Sequence, residues 1–394
     1  MCDQIARAAA DPTIPAANRR EFLKVLGTTA AAAGLVAATA GPAWAGNGSS
    51  GGRHRGRTRL VLLGTAGGPT VQDGRQAGIS TAIVYGDRVY LVDLGIGSLL
   101  QLRRWQTSAA GATAPSALSG VRGIFFTHMH SDHLADWPAT WVTGPSNALG
   151  RSGPPIEVFG PGERGTLPRV NPPGRAEPAV VAPERPVPGI RGTTESLTRT
   201  WANDLNDRIR DSAFAHPDLL FHVQDIDLTG IWTPDPAGVP PRLSASIPVW
   251  QDGDVRVTAT LVDHHPTAPA FAYRFDTPDG SITVSGDTTV SANLIDLARG
   301  TDHLVHEVID PAFADRLAAT LPPQQGAALK AHLLEAHTTI EQVGRDVAQP
   351  AGAKNLVLTH LVPSNTPKSR WQAARKGYSG KLIVGEDLTE ISLG

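Results

Sequence analysis

The sequence predicts an α/β fold in four layers, two β-sheets sandwiched between helices, and three observations carry that expectation. Apolar runs of strand length recur from residue 59 to the closing "KLIVGEDLTEISL". Stretches of helical spacing separate them, and each half of the chain repeats β-rich runs followed by helix and strand, without a short fixed-period repeat. Finally, the densest group of ionisable side chains, in "IFFTHMHSDHLADW" (124–137), starts where one apolar run ends. A length of 394 residues accommodates one large domain with an insertion, and 41% hydrophobic residues suffice for its core.

Residues 1–45 read as an address rather than as structure. Arg19 and Arg20 precede Phe22 and Leu23, an Ala/Gly-rich run follows to Ala40, and "AWA" ends at Ala45 as a small-x-small cleavage site. The pattern resembles a twin-arginine export signal, which implies a periplasmic or extracellular destination. Gly27, Gly34 and Gly41 interrupt the run, so no stable membrane anchor is expected. Residues 46–58 read as a flexible Gly/Ser-rich linker. Cys2, the only cysteine, lies in the segment that cleavage removes, leaving the mature chain without a disulfide or a thiolate ligand.

From residue 59 the elements follow in order. "RLVLLG" is a strand ending in the turn "GTAGGP"; "STAIVYGDRVYLVDLG" is a hairpin about Gly86-Asp87 that delivers Asp93 to a strand end; residues 97–108 are helical; "VRGIFF" is a buried strand. Between 144 and 250 the chain is rich in Pro and Gly and reads as an insertion or lid, with "EVFGPG" as a strand and 193–214 as a polar helix carrying Leu197, Trp201, Leu205 and Ile209. "RVTATLVDHH" and "AFAYRFDTPDGSITVSGDT" resume the strands. Helix 291–299, strand "HLVHEVI", helix 338–349, strand "NLVLTHL" and the final strands complete the series.

His128, His130, Asp132 and His133 follow a strand, so they do not share a helix face. In a tight loop alternate positions project to one side while the adjacent Asp and His turn to another, and such a loop can serve two ions. Imidazole and carboxylate suit Zn²⁺, Fe and Mn²⁺. Lys+Arg total 35 against Asp+Glu 37, so no global field recruits nucleic acid or an anionic membrane.

The motif His128-x-His130-x-Asp132-His133 resembles that of the metallo-β-lactamase superfamily. Asp93 in "LVDLG", a histidine in "LVDHHP", Asp287 in "SGDT" and His360 in "LTHL" extend the resemblance over most of residues 59–394. It implies the four-layer αββα sandwich and two Zn²⁺ per chain, with Mn²⁺ or Fe as alternatives. His128, His130 and His264 would hold one ion, Asp132, His133 and His360 the other, and Asp287 both; His265 rivals its neighbour His264. Asp93 would orient a ligand histidine, and Asp132 counts with the catalytic residues. Two such ions generate hydroxide near neutral pH and polarise the bond under attack.

"LLGTAGGP", His306-Glu307 and "AHTT" resemble the ribonuclease Z and arylsulfatase branch. That resemblance implies His337 as an acid for the leaving oxygen with Glu307 as its orienting partner; for His337 a helix-capping role, and for His306 plain strand packing, stay open. The branch also implies a possible homodimer. One departure stands out: tRNA-processing members insert a long arm between the third motif and "SGDT", whereas here residues 265–286 suffice only for a hairpin.

The resulting expectation is an exported dinuclear hydrolase of a small-molecule phosphate or sulfate ester, with no nucleic acid partner. The alternatives are a lactonase or carboxylic ester hydrolase, and a non-catalytic metal-binding protein. Gly67-Gly68 reads as a tight turn near the metal edge. Trp137 and Trp141 fit either a pocket or packing, Trp105, Trp201 and Trp371 fit core positions, and Arg185 and Arg191 fit a cationic lid or a solvated loop. His216, His222, His303 and His332 lack a partner pattern and read as surface or packing residues.

Overall fold

The computed structural model describes residues 57–72, 74–108 and 114–393. Residues 1–45, expected to be an export signal, with Cys2 among them, and most of the expected 46–58 linker lie outside the described residues. Among the described residues, fourteen strands form two seven-stranded sheets. In the first, β1 (Thr58–Gly64), β2 (Ser80–Tyr85), β3 (Arg88–Val92), β4 (Val121–Phe125), β5 (Ile156–Pro161) and β6 (Phe221–Ile226) lie side by side. The second runs from β7 (Ile247–Asp252) through β8 (Val255–Leu261), β9 (Phe271–Thr277), β10 (Gly280–Val284) and β11 (His303–Ile309) to β12 (Asn355–Val362) and β13 (Lys381–Val384). The last strand, β14 (Thr389–Ser392), returns to pair with β1.

Both sheets start antiparallel and end parallel: β3, β4, β5 and β6 run together, as do β10, β11, β12 and β13. β8 and β10 flank β9 antiparallel, so they share a direction too. The carboxyl ends of β3 and β4 therefore fall on one edge of the first sheet, and those of β8, β10, β11 and β12 on one edge of the second. Ligands of such sheets sit at the carboxyl ends of strands, where loops are free to diverge.

Period-2 alternation sorts the side chains between three apolar layers. Leu60, Leu62, Tyr90, Val92 and Phe125 face the second sheet and meet Val257, Leu261, Tyr273 and Phe275. Their neighbours Val61, Leu63, Leu91, Ile124 and Phe126 face outward onto Leu102, Trp105, Trp137 and Trp141 of the flanking helices. A third layer sets Leu304, Val308, Leu356 and Leu358 against Ile340, Val343, Val347 and Trp371. This is why the central strands read as unbroken apolar runs: both faces are covered. Phe125 anchors the middle, with ring centroids 5.3 Å from Phe275, 5.4 Å from Tyr273 and 5.4 Å from Phe159, pairs worth about 0.5–1.5 kcal/mol each beyond area burial.

Several local expectations need correction. The 144–250 segment is no mere lid, because β5 and β6 complete the first sheet and β7 begins the second. β6 and β7 are edge strands with half-exposed polar residues, so no apolar run betrays them. The single helix expected over 193–214 is two, Ile190–Thr200 and Ala202–Ser212, joined at Trp201 (φ −97°, ψ 12°). That turn swings Trp201 away from the core, and it is 41% exposed. Trp137 and Trp141 are fully packed: Trp137 stacks edge-on to Phe126 and Phe221, and its Nε1 donates to Thr194 Oγ1 at 3.0 Å. Among the described residues, the helices Trp137–Asn147, Pro311–Ala318 and Pro323–Ala336 are not marked in the sequence, and the expected tight loop at Asp132-His133 is the one-turn helix Ser131–Leu134.

Candidate metal centre

The loop after β4 carries His128 and His130, and the one-turn helix Ser131–Leu134 that follows it carries Asp132 and His133. The other groups arrive from strand ends: Asp93 after β3, His264 after β8, Asp287 after β10, and His360 within the last turns of β12. His128, His130, His264 and Asp287 converge as one potential metal-holding group, and Asp132, His133, Asp287 and His360 as a second, with the ligand atoms of each group within 4.8 Å of one another. Asp287 belongs to both. Gly286 precedes it at φ +60°, where a Cβ would stand 2.7 Å from Phe271 O and 2.8 Å from Thr127 Cβ, so only glycine brings the two sheets this close.

Four of the five imidazoles are pinned by the outward nitrogen, His360 being the exception. His133 Nδ1 lies 2.8 Å from Asp93 Oδ2, His264 Nδ1 2.8 Å from the Ala336 carbonyl, His130 Nε2 2.8 Å from Thr267 Oγ1, and His128 Nδ1 3.0 Å from Thr127 Oγ1. The other nitrogens turn inward: His133 Nε2 is 3.3 Å and His128 Nε2 3.9 Å from Asp287 Oδ2. Asp93 also accepts from Thr127 N and Thr127 Oγ1, both at 2.8 Å, so it orients His133 directly and His128 through Thr127. It does so at φ 59°, a left-handed backbone that Asp tolerates better than most residues. Thr127 and Thr267 were absent from the sequence reading; "FFTHMH" and "HHPTAP" hold them, but only the fold aims their hydroxyls.

His128 Nε2 and His133 Nε2 are buried and have no hydrogen-bonding partner in the protein. Two inward-facing lone pairs without donors, beside two carboxylates, are a donor set suited to cations, and the residues fit a two-ion centre. Burial, reinforced by the neighbouring imidazoles, pushes His128 well below its ordinary value. Burial likewise pulls His130 down to about 4. Burial opposes charge on Asp287 too, but His360 and His133 hold its carboxyl well below the usual carboxylate range. For His133 burial is overcome by Asp287, Asp93 and Asp132, which raise it well above its ordinary value, so loading a cation there releases a proton.

His265 does not enter the centre. It is half-buried against Asp263, its Nδ1 2.8 Å from Asp263 Oδ1. Glu307 and His337 sit behind Asp287. Glu307 Oε1 accepts from Thr288 N at 3.1 Å and Thr338 N at 3.0 Å and lies 3.1 Å from His337 Nδ1, itself 3.9 Å from Asp287 Oδ2. Burial would lower His337, but Glu307 and then Asp287 raise it to about 9. His306 points away, with Nδ1 2.6 Å from the Glu307 carbonyl.

Gly67-Gly68 closes the rim. A Cβ on Gly67 would meet the His360 ring at 2.5 Å, and Gly68 N donates to Asp132 Oδ2 at 3.0 Å. A cavity of about 360 Å³ opens over the centre, bounded by the Gly67–Thr70 turn, His130, Asp132, His337 and His360 on one side and Phe313, Leu317, His332 and Leu333 on the other. His332, read from sequence as a bystander, lines it. Arg185 does not reach it and pairs with Glu195 at 2.8 Å instead.

This arrangement, a bridging carboxylate shared by two His/Asp groups on the joined edges of two sheets, defines a metal-dependent hydrolase of the metallo-β-lactamase fold. No family model matches the chain. Comparison with characterised proteins is more specific: the chain is 30% identical over 341 residues to a ribonuclease Z of Mycobacterium sp. (strain KMS), covering 85% of this chain and 95% of the relative. A ribonuclease Z of Mycolicibacterium paratuberculosis is 29% identical over 337 residues, covering 85% and 98%. The chain belongs to the ribonuclease Z family. The fold is similar to that of human tRNase Z, short form (TM-score 0.51, 19% identity, covering 85% of this chain and 99% of that one) and of the Bacillus subtilis metallo-β-lactamase fold protein YhfI (TM-score 0.50, 15% identity, covering 85% and 99%).

Proposed function

We propose that the protein hydrolyses a small-molecule phosphate or sulfate ester with one or two organic substituents, using His128, His130, His264, Asp132, His133, His360 and the shared Asp287 to hold two divalent cations, most simply Zn²⁺. Bound there, such cations would supply a nucleophile from water near neutral pH and offset charge on the ester. The chain does the rest. Asp93, Thr127 and Thr267 fix the imidazoles, and the Gly67–Thr70 turn limits access. His337 donates a proton to the departing oxygen, with Glu307 fixing its ring. The observation that carries this reading is that dyad. An imidazole tethered 3.1 Å from a buried carboxylate and 3.9 Å from the shared Asp287 is protonated where an alkoxide or aryloxide must leave.

RNA is the second reading, because the relatives are named ribonucleases. Against it, residues 265–286 fold as β9 and β10 with a tight connection, and no lysine or arginine is among the described residues lining the cavity; an RNA backbone calls for cationic contacts. A lactone or carboxylic ester is the third. We also propose export by the twin-arginine route, on residues 1–45 alone; replacing Arg19 and Arg20 by lysine should then retain the chain in the cytoplasm.

The deciding experiment pairs elemental analysis with matched p-nitrophenyl phosphodiester, sulfate and carboxylic esters, a lactone and a tRNA precursor, using Asp287→Ala as control. Near two metals per chain with diester or sulfate turnover that the control abolishes supports the proposal. Turnover of precursor RNA alone, or of lactone alone, replaces it with the corresponding reading. Metal without any turnover leaves a binding protein.

A further inference from the structure

We propose that the wall formed by the helices Pro311–Ala318 and Pro323–Ala336 is a leaving-group site for an uncharged aryl or branched alkyl alcohol, an inference that rests on the hydrolase reading above. Phe313, Leu317 and Leu333 are half-buried apolar side chains lining the cavity. They belong to none of the three apolar layers that hold the fold together. Val362 and Pro363 complete the wall, and among the described residues no lysine or arginine lines the cavity. Apolar surface left half-exposed beside a cluster of charged ligands costs free energy unless something apolar covers it.

His337 fixes which part of the substrate goes there. It lines this cavity, and with Nδ1 committed to Glu307 its other ring nitrogen is the one left for a departing oxygen. A smaller recess of about 140 Å³, lined by Val71, Ile96 and Ala135, shares Gly68, Ser131 and Asp132 with the first, but His337 does not line it. The acid stands on the large apolar side, so the departing alcohol occupies that side and the retained group the other. At about 360 Å³ the larger space is in the range of small-ligand pockets and takes a one- or two-ring alcohol. A leaving group with its own anionic charge finds no lysine or arginine among the described residues that line that space, where His337 is already committed to the departing oxygen.

The test compares phenyl, 2-naphthyl and 3-carboxyphenyl leaving groups, which are similar in acidity, as methyl phosphodiesters and as acetates on the metal-loaded full chain. A methylene-sized difference in an apolar site is worth roughly 10- to 200-fold. The proposal therefore expects kcat/KM for 2-naphthyl to exceed that for 3-carboxyphenyl by about 10-fold or more. Phe313→Ala should cut that ratio, and Leu333→Arg should shift it toward the carboxylate. Calorimetric binding of 2-naphthol, weakened by Phe313→Ala, is read alongside. Equal or reversed rates in the wild type, or a ratio unmoved by both substitutions, overturn the assignment. If no ester of either series is hydrolysed, the hydrolase reading fails, while naphthol binding still reports whether the wall holds an aryl alcohol.

Discussion

Replacing Asp93 by Asn alters hydrogen-bond polarity at one buried point and should strip metal from the centre without unfolding the protein. Asn fills the same volume and tolerates the φ of 59°. Asp93 accepts three hydrogen bonds: from Thr127 N, from Thr127 Oγ1, and from His133 Nδ1 at 2.8 Å. An amide cannot reproduce them. If its oxygen keeps Thr127 N, its NH₂ faces His133 Nδ1 and forces that nitrogen to become the acceptor, which moves the ring proton to Nε2, the atom aimed at Asp287. If the amide flips, NH₂ meets Thr127 N–H in a buried site. The first arrangement blocks the inward nitrogen with a proton and the second forfeits a buried bond, about 1–3 kcal/mol; a roughly 10- to 100-fold loss in metal affinity is expected, in line with outer-sphere substitutions generally. Competition against a chromophoric chelator measures it, with circular dichroism to check that the fold persists. Wild-type affinity and two ions per chain in Asp93→Asn would refute the claim that Asp93 sets the His133 tautomer.

Three further outcomes follow from the same geometry. Chelation should lower the thermal midpoint of the wild type: ions present at 1,000 times their dissociation constant stabilise by about 4 kcal/mol per site, and Asp287→Ala should respond far less. Glu307→Gln should reduce kcat by roughly 10²-fold or more on esters with poor leaving groups and far less on p-nitrophenyl esters. Because Glu307 and Asp287 raise His337 to about 9, activity needing its proton is present below that value and lost as pH rises through it. A cation beside Asp287 lowers this limb, and the Gln variant should lower it further; a limb unmoved by the substitution would remove Glu307 from the proton path. Asp252→Asn tests the sheet-to-sheet link, where Asp252 accepts from Tyr90 at 2.8 Å and from Arg122 Nε and Nη2 at 3.1 and 3.0 Å. Urea melts should show about 2–3 kcal/mol of destabilisation at neutral pH. Burial opposes charge there, yet Arg122 and Tyr90 hold the Asp252 carboxyl below 3.8. The difference between variant and wild type should therefore be full above that pH and shrink as pH falls through the folded value.

The sequence by itself determined the layers and the strand-end positions of the ionisable groups. β1, β3, β4 and β12 sit between covered faces and are mostly apolar at consecutive positions, with Asp93, His128 and His264 falling just past the ends of β3, β4 and β8 and His360 near the end of β12. The "HMHSDH" spacing is equally local, since one loop and the helical turn after it hold four of the donors. The tertiary structure alone decided the rest, because those choices depend on partners distant in the chain. His264 rather than His265 faces the centre since Ala336 supplies a carbonyl to its Nδ1 from 72 positions away. Trp137 and Trp141 went to the core when Phe221 of an edge strand closed over them. The helices over the cavity were invisible for a related reason: Pro311–Ala318 buries only Ala314, and Pro323–Ala336 only Gly326 and Ala336. Small residues make their buried contacts while Phe313, Leu317 and Leu333 face the cavity, so no core-facing stripe marks these helices in the sequence. Where a segment's packing partner is another part of its own sheet, pattern suffices; where the partner is a substrate or a remote carbonyl, only three dimensions reveal it.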